Sequence, residues 1–197
     1  MIEYKPEYDT MGGEMLPFER RFLFDSIVKV KPHVVVEVGS GSAGSTRIIL
    51  SALNQLQQGT LYNCDPYNIA ATDVKDVDTS RMRFKQIVGS MLIAQLSNKG
   101  IMPDFIFFDG PEDADIVLND FKQIESIVLP GTYFISHDWE LRPRIDGNIS
   151  IKSSSVRPYM HKSTQWEIIE ELSGVNGEHP NNPGYNSVGM VYARKIL

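Results

Sequence analysis

The chain has 197 residues, of which 42% are hydrophobic and 22% are charged, an ordinary globular composition that excludes disorder as its main state. Its 19 basic and 25 acidic side chains give a net charge of −6, so it lacks the positive field with which proteins bind nucleic acid or anionic membranes. The single cysteine, Cys64, cannot form an internal disulfide, and no apolar leader follows Met1. We therefore expect one cytoplasmic domain over residues 1–197.

Short apolar runs alternate with longer amphipathic patterns in the first two thirds of the chain. They predict, in order, a helix at 16–30, a strand at 34–38, a helix at 45–56, strands at 60–65, 84–88 and 104–110, a helix at 117–128 and a strand at 132–136. The first 32 residues form an N-terminal helical segment in this interpretation. A strand–helix alternation of this kind indicates an α/β fold with a parallel sheet and helices on both faces.

The pattern is weaker after Trp139. Residues 140–163 carry scattered lysines and arginines among turn formers, and we expect this stretch to be mobile. Residues 165–172 suit either a strand or a helix, whereas 187–193 alternate as a strand does. Two final strands without a helical crossover must be antiparallel, which predicts a seven-stranded, mostly parallel sheet with an antiparallel last strand. Residues 140–186 would then form a variable substrate region.

A glycine-rich turn joins the first predicted strand to the helix that follows. Gly39, Gly41 and Gly44 spell G-x-G-x-x-G, and Asp65 ends the second strand, so one interpretation is an NAD-dependent oxidoreductase. Glu37 argues against it, because its carboxylate would repel a pyrophosphate. A ligand that presents an ammonium group would instead be attracted, and the amino-acid end of S-adenosylmethionine is such a ligand.

Glu37 in E-x-G-x-G, Asp65, Gly89-Ser90 and Asp109-Gly110 together resemble the class I S-adenosylmethionine-dependent methyltransferases. Within that superfamily, Asp-Phe-Ile-Phe-Phe-Asp-Gly and the later Ser-His-Asp resemble the small-molecule O-methyltransferases related to catechol and macrolide-sugar enzymes. The resemblance implies a Rossmann-like three-layer sandwich. It also implies methyl transfer to the hydroxyl of a small molecule or sugar.

The resemblance further implies which residues bind S-adenosylmethionine. Glu37 would hold the methionine ammonium directly or through water, Asp65 would accept the ribose hydroxyls, and Asp109 would lie beside the sulfonium. The full implied set is Glu37, Gly39, Ser40, Gly41, Ser45, Asp65, Pro66, Gly89, Ser90, Met91 and Asp109.

The resemblance also suggests candidates for the chemistry. Asp109 and Asp138 could hold Mg²⁺ through hard carboxylate oxygens, and His137, Asp109 and Glu112 are the candidate catalytic groups. Many members of the branch carry a histidine after the strand-four aspartate, whereas this chain has Gly110-Pro111-Glu112. That departure leaves the base and the metal set open.

Two other functions stay open beside methyl transfer. An NAD-dependent dehydrogenase of the short-chain type would need Tyr-x-x-x-Lys, which the chain lacks, and other dehydrogenases need a second domain that 197 residues hardly allow. A non-catalytic cofactor-binding protein of the same fold would retain the glycine turn without a working base. The expected partner is a small-molecule acceptor rather than nucleic acid or a membrane, with homodimerisation left open.

Overall fold

The computed structural model describes residues 2–13, 15–67, 69–110, 113–141, 149–174 and 189–197. Two short 3₁₀ helices cover Pro6–Thr10 and Ala70–Asp73. The other elements, in chain order, are α1 Pro17–Val30, β1 Val34–Val38, α2 Gly44–Leu56, β2 Thr60–Cys64, β3 Met82–Lys85, α3 Gly89–Ser97, β4 Phe105–Phe108, α4 Ala114–Ile127, β5 Tyr133–His137, α5 Ile151–Met160, β6 Trp166–Leu172 and β7 Met190–Lys195.

The strands form one seven-stranded sheet in the order β3-β2-β1-β4-β5-β7-β6. The first five strands are parallel to one another, and β7 is antiparallel to both β5 and β6. This arrangement confirms the predicted mostly parallel α/β sheet with an antiparallel last strand. The chain runs outwards from β1 through β2 to β3 and then crosses back to β4 on the other side of β1. This reversal of direction opens a crevice at the carboxyl ends of β1 and β4.

Alternate side chains of the buried strands enter two separate cores. On one face Val35, Phe105 and Ile135 pack with the apolar residues of α1 and α2. On the other face Val36 and Ile106 pack with those of α3, α4 and α5. Since both faces of the strands are covered, their side chains are mostly apolar, as in parallel strands of three-layer folds, and Glu37 in β1 is an exception.

Local sequence sets the ends of α1, which carries two of the residues discussed below. Pro17 occupies the first turn, where a missing backbone N–H is harmless. The Glu19 carboxylate accepts a hydrogen bond of 2.9 Å from the backbone N–H of Leu16. The helix ends at Lys31, which adopts a left-handed conformation with φ of 54° ahead of Pro32.

The structure differs from the sequence prediction at two places. β3 covers Met82–Lys85 rather than 84–88, because Val88 is the N-cap of α3, a helix that the sequence analysis did not predict. Within the stretch expected to be mobile, residues 151–160 form α5, where Val156 and Met160 are buried in the core one helical turn apart. The sequence did not predict this helix because it contains three serines and Pro158, which are poor helix formers. Residues 165–172, left open between strand and helix, contain β6.

None of the helices in the described ranges is both long and apolar enough to cross a lipid bilayer.

Candidate active site

The glycine turn packs directly against the end of β4. Gly39 has φ of +87°, and a Cβ atom built on it would lie 2.1 Å from the backbone carbonyl oxygen of Asp109. Both the left-handed backbone and the close approach therefore require glycine. The turn leads into α2, whose first backbone N–H groups and positive helix end face the same crevice.

Glu37 lies beneath this turn, fully buried. Its two carboxylate oxygens accept hydrogen bonds from the hydroxyls of Ser45, at 2.6 Å, and Thr46, at 2.7 Å. Burial raises the pKa of Glu37 to about 7, although these two hydrogen bonds oppose the shift. The carboxylate thus links β1 to the first turn of α2. With a pKa of about 7, it is close to half-ionised at neutral pH.

Asp65 follows β2 and ties the glycine turn to the next loop. One of its carboxylate oxygens accepts a hydrogen bond of 3.0 Å from the N–H of Gly41, and the other accepts one of 2.9 Å from the N–H of Tyr67. These two contacts hold the Asp65 carboxylate at the carboxyl end of β2, next to the glycine turn.

A cavity of about 460 Å³ opens at the carboxyl ends of β1, β2 and β4. This volume is typical of pockets that enclose a small molecule. Eight of the eleven predicted cofactor residues line it: Gly39, Ser40, Gly41, Ser45, Asp65, Pro66, Gly89 and Asp109. The Ser40 hydroxyl is buried there and has no hydrogen-bond partner among the described residues.

The other three predicted cofactor residues do not line this cavity. Glu37 lies behind Ser45, and the backbone N–H of Ser90 donates to Asp120. Met91 is 53% exposed at the start of α3. Any contact of Glu37 with a ligand in the cavity would therefore pass through the Ser45 hydroxyl or a water molecule.

Asp120, on α4, lines the same cavity and was not predicted from the sequence. One of its oxygens accepts a 2.8 Å hydrogen bond from the N–H of Ser90. The other, Oδ2, is buried and has no hydrogen-bond partner among the described residues. A buried acceptor without a partner is costly, which marks Oδ2 as an acceptor for a ligand's N–H group.

His137 ends β5 within a group of carboxylates. Its Nε2 atom is 3.3 Å from Glu19, and its Nδ1 atom is 3.4 Å from Asp138 and 3.7 Å from Asp109. Burial alone would lower the pKa of His137, but the charges of Asp138, Glu19 and Asp109 outweigh it and raise the pKa to about 10. The imidazole therefore holds its proton at neutral pH, so it is poorly suited to the role of a base.

Lys152, on α5, inserts its ammonium group into the same cluster. Its Nζ atom lies 2.5 Å from Oδ1 of Asp109 and 3.3 Å from Oδ2 of Asp138, and its side chain is 1% exposed. Asp138 has a positive φ of 58°, which is uncommon for a residue other than glycine.

Sequence reasoning found the acids that follow strands but missed their partners on helices. Glu19 is 118 positions from His137, Lys152 is 43 from Asp109, and Asp120 is 30 from its partner Ser90, so no local motif marks these contacts. The spacing of Val156 and Met160 could have indicated α5, and with it the position of Lys152. Glu112, a predicted catalytic residue, lies outside the described residues.

Comparison with known proteins identifies the family. A model described as a methyltransferase domain matches residues 36–139, just over half of the 197 residues. The chain belongs to this methyltransferase family. No curated protein matches the chain in sequence.

Solved structures share the fold of this methyltransferase at low sequence identity. An O-methyltransferase from Bacillus cereus in complex with SAH has a TM-score of 0.66 and 14% identity, over 94% of this chain and 84% of that one. The O-methyltransferase TomG from Streptomyces achromogenes, involved in tomaymycin synthesis and in complex with SAM, has a TM-score of 0.62 and 13% identity, over 100% of this chain and 92% of that one. The family match and the shared fold confirm the predicted resemblance to methyltransferases.

Proposed function

We propose that this methyltransferase uses S-adenosylmethionine to methylate a hydroxyl group of a small molecule or sugar. The observation that carries the proposal is the cavity itself, where the glycine turn, Asp65 and Asp109 converge at the carboxyl ends of three parallel strands. The fold of O-methyltransferases with bound SAH and SAM supports it.

The described contacts support a specific orientation of the cofactor. The methionine end would lie over Gly39, Ser40 and Ser45, with its ammonium group near the Ser45 hydroxyl that donates to Glu37. Asp65, which lines the cavity at the end of β2, would accept the ribose hydroxyls. The sulfonium would then lie next to Asp109.

The adenine would occupy the opposite end of the cavity. Pro66 and Gly89 line that end, and Asp120 reaches it from α4. Adenine carries an exocyclic amino group that donates hydrogen bonds. The unpartnered Oδ2 of Asp120 is a matching acceptor, so we propose that it recognises this amino group.

Methyl transfer needs an acceptor oxygen in line with the bond between sulfur and the methyl carbon. The oxygen attacks that carbon, the C–O bond forms as the C–S bond breaks, and S-adenosylhomocysteine leaves as a neutral thioether while the hydroxyl proton passes to a base. Asp109 is a carboxylate that lines the cavity, so we propose it as the proton acceptor. His137, held as an imidazolium, would fix the position of Asp109.

A divalent ion was the other candidate for assisting the acceptor. Asp109, His137 and Asp138 offer ligand atoms that lie within 4.8 Å of one another. They do not fit a magnesium ion as they stand. The Lys152 ammonium already contacts oxygens of Asp109 and Asp138, at 2.5 and 3.3 Å, so a bound ion would meet a positive charge at the same oxygens.

Several broader features belong to the same proposal. The chain would act as one cytoplasmic domain over residues 1–197, on a small-molecule acceptor rather than on nucleic acid, in keeping with its net charge of −6. Residues 140–186, which include α5 and β6, would shape the acceptor pocket.

Isothermal titration calorimetry of the purified chain tests the proposal. We expect saturable binding of S-adenosylmethionine and S-adenosylhomocysteine with one site per chain, and no binding of NAD. Incubation with methyl-labelled cofactor and a library of hydroxylated metabolites should then yield a labelled ether. Binding of NAD in place of both adenosyl ligands would refute methyl transfer, and cofactor binding without transfer to any acceptor would favour a non-catalytic binding protein.

A further inference from the structure

A buried lysine occupies the centre of the acidic cluster at the carboxyl edge of the sheet. Lys152 is the second residue of α5, and its side chain is 1% exposed. An ammonium group loses its hydration when it is buried, and this loss is tolerated only where carboxylates replace the water. Asp109 and Asp138 provide that replacement, at 2.5 and 3.3 Å.

The same two carboxylates are those that a divalent ion would need. Magnesium binds carboxylate oxygens at about 2.0–2.1 Å and in near-octahedral geometry. An ion bound to Oδ1 of Asp109 would lie within a few ångströms of the Lys152 ammonium, where two positive charges repel strongly in a buried site. The ammonium and the ion therefore compete for one position.

We propose that the Lys152 ammonium takes the place of a divalent cation between Asp109 and Asp138, so that methyl transfer at this site proceeds without a metal. This inference rests on the proposed function. Lys152 is not among the residues that line the cavity, whereas Asp109 is. Lys152 is therefore a positioning residue, which acts by neutralising Asp109 and holding it at the edge of the cavity.

The inference explains why a helix from the region after β5 closes this edge of the sheet. α5 packs against α4 in the core through Val156 and Met160, which fixes the start of the helix beside the strand ends. The contact between Lys152 and Asp109 then joins residues 43 positions apart. A metal ion would need no such helix, because it could be held by the strand ends alone.

Manganese binding gives a direct test, because Mn²⁺ uses the same oxygen ligands as Mg²⁺ and can be followed by calorimetry and paramagnetic resonance. We expect the wild-type chain to show no saturable Mn²⁺ binding up to millimolar concentration. Its S-adenosylhomocysteine affinity and methyl transfer should be unchanged by a chelator. Lys152→Ala should gain Mn²⁺ binding at least tenfold tighter than the wild type, and adding Asp109→Asn should abolish that gain.

Two control variants separate charge from general structural damage. Lys152→Arg keeps the positive charge and should bind no Mn²⁺, whereas Lys162→Ala removes an exposed lysine just beyond the same helix and should behave as the wild type. If Lys152→Ala does not fold, as judged by its thermal melt, Lys152→Met is used in its place. Methionine keeps the apolar part of the lysine side chain and lacks the charge.

Three results would overturn the proposal. The first is stoichiometric Mn²⁺ binding by the wild type that Asp138→Asn abolishes, and the second is methyl transfer that a chelator stops and Mg²⁺ restores. The third is a folded Lys152→Ala or Lys152→Met variant without any gain in Mn²⁺ binding. A wild-type chain that binds no S-adenosylhomocysteine would refute the proposed function instead, while the Mn²⁺ measurements would still decide the role of Lys152.

Discussion

The hydroxyl of Ser45 donates a 2.6 Å hydrogen bond to the buried carboxylate of Glu37, at the junction of β1 and α2. Ser45 lines the cavity and Glu37 lies behind it. Because the Ser45 hydroxyl donates its proton to Glu37, its oxygen acts as an acceptor towards a ligand in the cavity. A negative charge that does not itself touch the cavity can thus stabilise a cationic group inside it.

This relationship predicts a pH dependence of cofactor binding. The pKa of Glu37 in the ligand-free protein is raised to about 7, chiefly by burial. A ligand ammonium favours the ionised carboxylate, so binding below pH 7 must release a proton. Affinity for S-adenosylhomocysteine should therefore fall by up to about tenfold per pH unit below 7 and level off above it. Calorimetry between pH 5.5 and 8 measures this slope.

Glu37→Gln is the matched variant for this prediction, since glutamine has the shape of the glutamate side chain but carries no group that ionises. The variant should bind more weakly than the wild type at pH 8 and show little change between pH 6 and 8. Equal wild-type affinity at pH 6 and pH 8 would contradict the linkage, as would a variant that retains the wild-type slope.

Gly39 should tolerate no side chain. A Cβ atom at this position would lie 2.1 Å from the Asp109 carbonyl oxygen, so Gly39→Ala must push the glycine turn away from the end of β4. We expect at least a tenfold loss of S-adenosylhomocysteine affinity and a lower melting temperature. Gly131→Ala is the control, because its φ of +97° imposes the same backbone strain where a Cβ atom meets nothing within 4 Å.

The two alanine variants isolate the effect of the contact from that of the backbone conformation. Gly131→Ala should be destabilised by about 1 kcal/mol and bind the cofactor normally. If both variants lose stability equally and neither loses affinity, the close approach of the turn to β4 has no part in binding.

The elements that could be predicted from the sequence are those whose signal is local. Phe105–Phe108 is apolar throughout and Val34–Val38 is apolar apart from Glu37. Such runs predict buried parallel strands, whose carboxyl ends lie at one edge of the sheet. Asp65, Asp109 and His137 could therefore be placed at that edge from their positions after strands. Met91 was instead included through the family resemblance, and its side chain is exposed at the start of α3.

The partners of these acids could not be predicted in this way. Glu19 contacts His137 across 118 residues of sequence, and Lys152 contacts Asp109 across 43. Such pairs depend on how α1 and α5 dock against the sheet, which no spacing within either helix encodes. Lys152 also stood in a stretch whose scattered charges suggested a solvated loop, so a buried role was not expected.

We expect Asp120 to make the protein bind a ligand that carries adenine more tightly than one that carries hypoxanthine. Its unpartnered Oδ2 atom can accept a hydrogen bond from the amino group of adenine but would repel the carbonyl oxygen of hypoxanthine. The wild type should bind S-adenosylhomocysteine about 10–100 times more tightly than S-inosylhomocysteine, the range expected for one buried unpaired polar group. Competition calorimetry with the two ligands gives this ratio.

Asp120→Asn should reduce the ratio of S-adenosylhomocysteine affinity to S-inosylhomocysteine affinity, or reverse the order of the two affinities. The asparagine can keep its oxygen on the Ser90 N–H and present its amino group to the cavity, where it suits hypoxanthine better than adenine. Asp76→Asn, which alters an exposed aspartate paired with Arg47, should leave the preference unchanged. If Asp120→Asn leaves the ratio of the two affinities unchanged, the adenine ring does not contact Asp120.

Arg20 should anchor the N-terminal segment that borders the cavity. Its fully buried guanidinium donates hydrogen bonds to the backbone carbonyls of Met15 at 2.8 Å, Tyr8 at 3.2 Å and Gly13 at 3.3 Å. Arg20→Met would remove this donor from the carbonyls of Met15 and Gly13, whereas the Tyr8 carbonyl keeps the backbone N–H of Met11. Each buried unsatisfied carbonyl costs about 1–3 kcal/mol, so we expect the free energy of unfolding in urea to fall by about 3 kcal/mol.

Binding should fall together with stability in this variant, because Gly13 and Met15 line the cavity. Arg21→Met is the control, since Arg21 is exposed and its guanidinium lies 4.7 Å from the centre of the Tyr4 ring, a contact worth about 0.5–1 kcal/mol. Limited proteolysis should cleave the N-terminal segment faster in Arg20→Met than in Arg21→Met, and bound S-adenosylhomocysteine should slow the cleavage. Equal cleavage rates in the two variants would contradict the anchoring role, because Arg20 is the one of these two arginines that donates hydrogen bonds to the backbone carbonyls of the N-terminal segment.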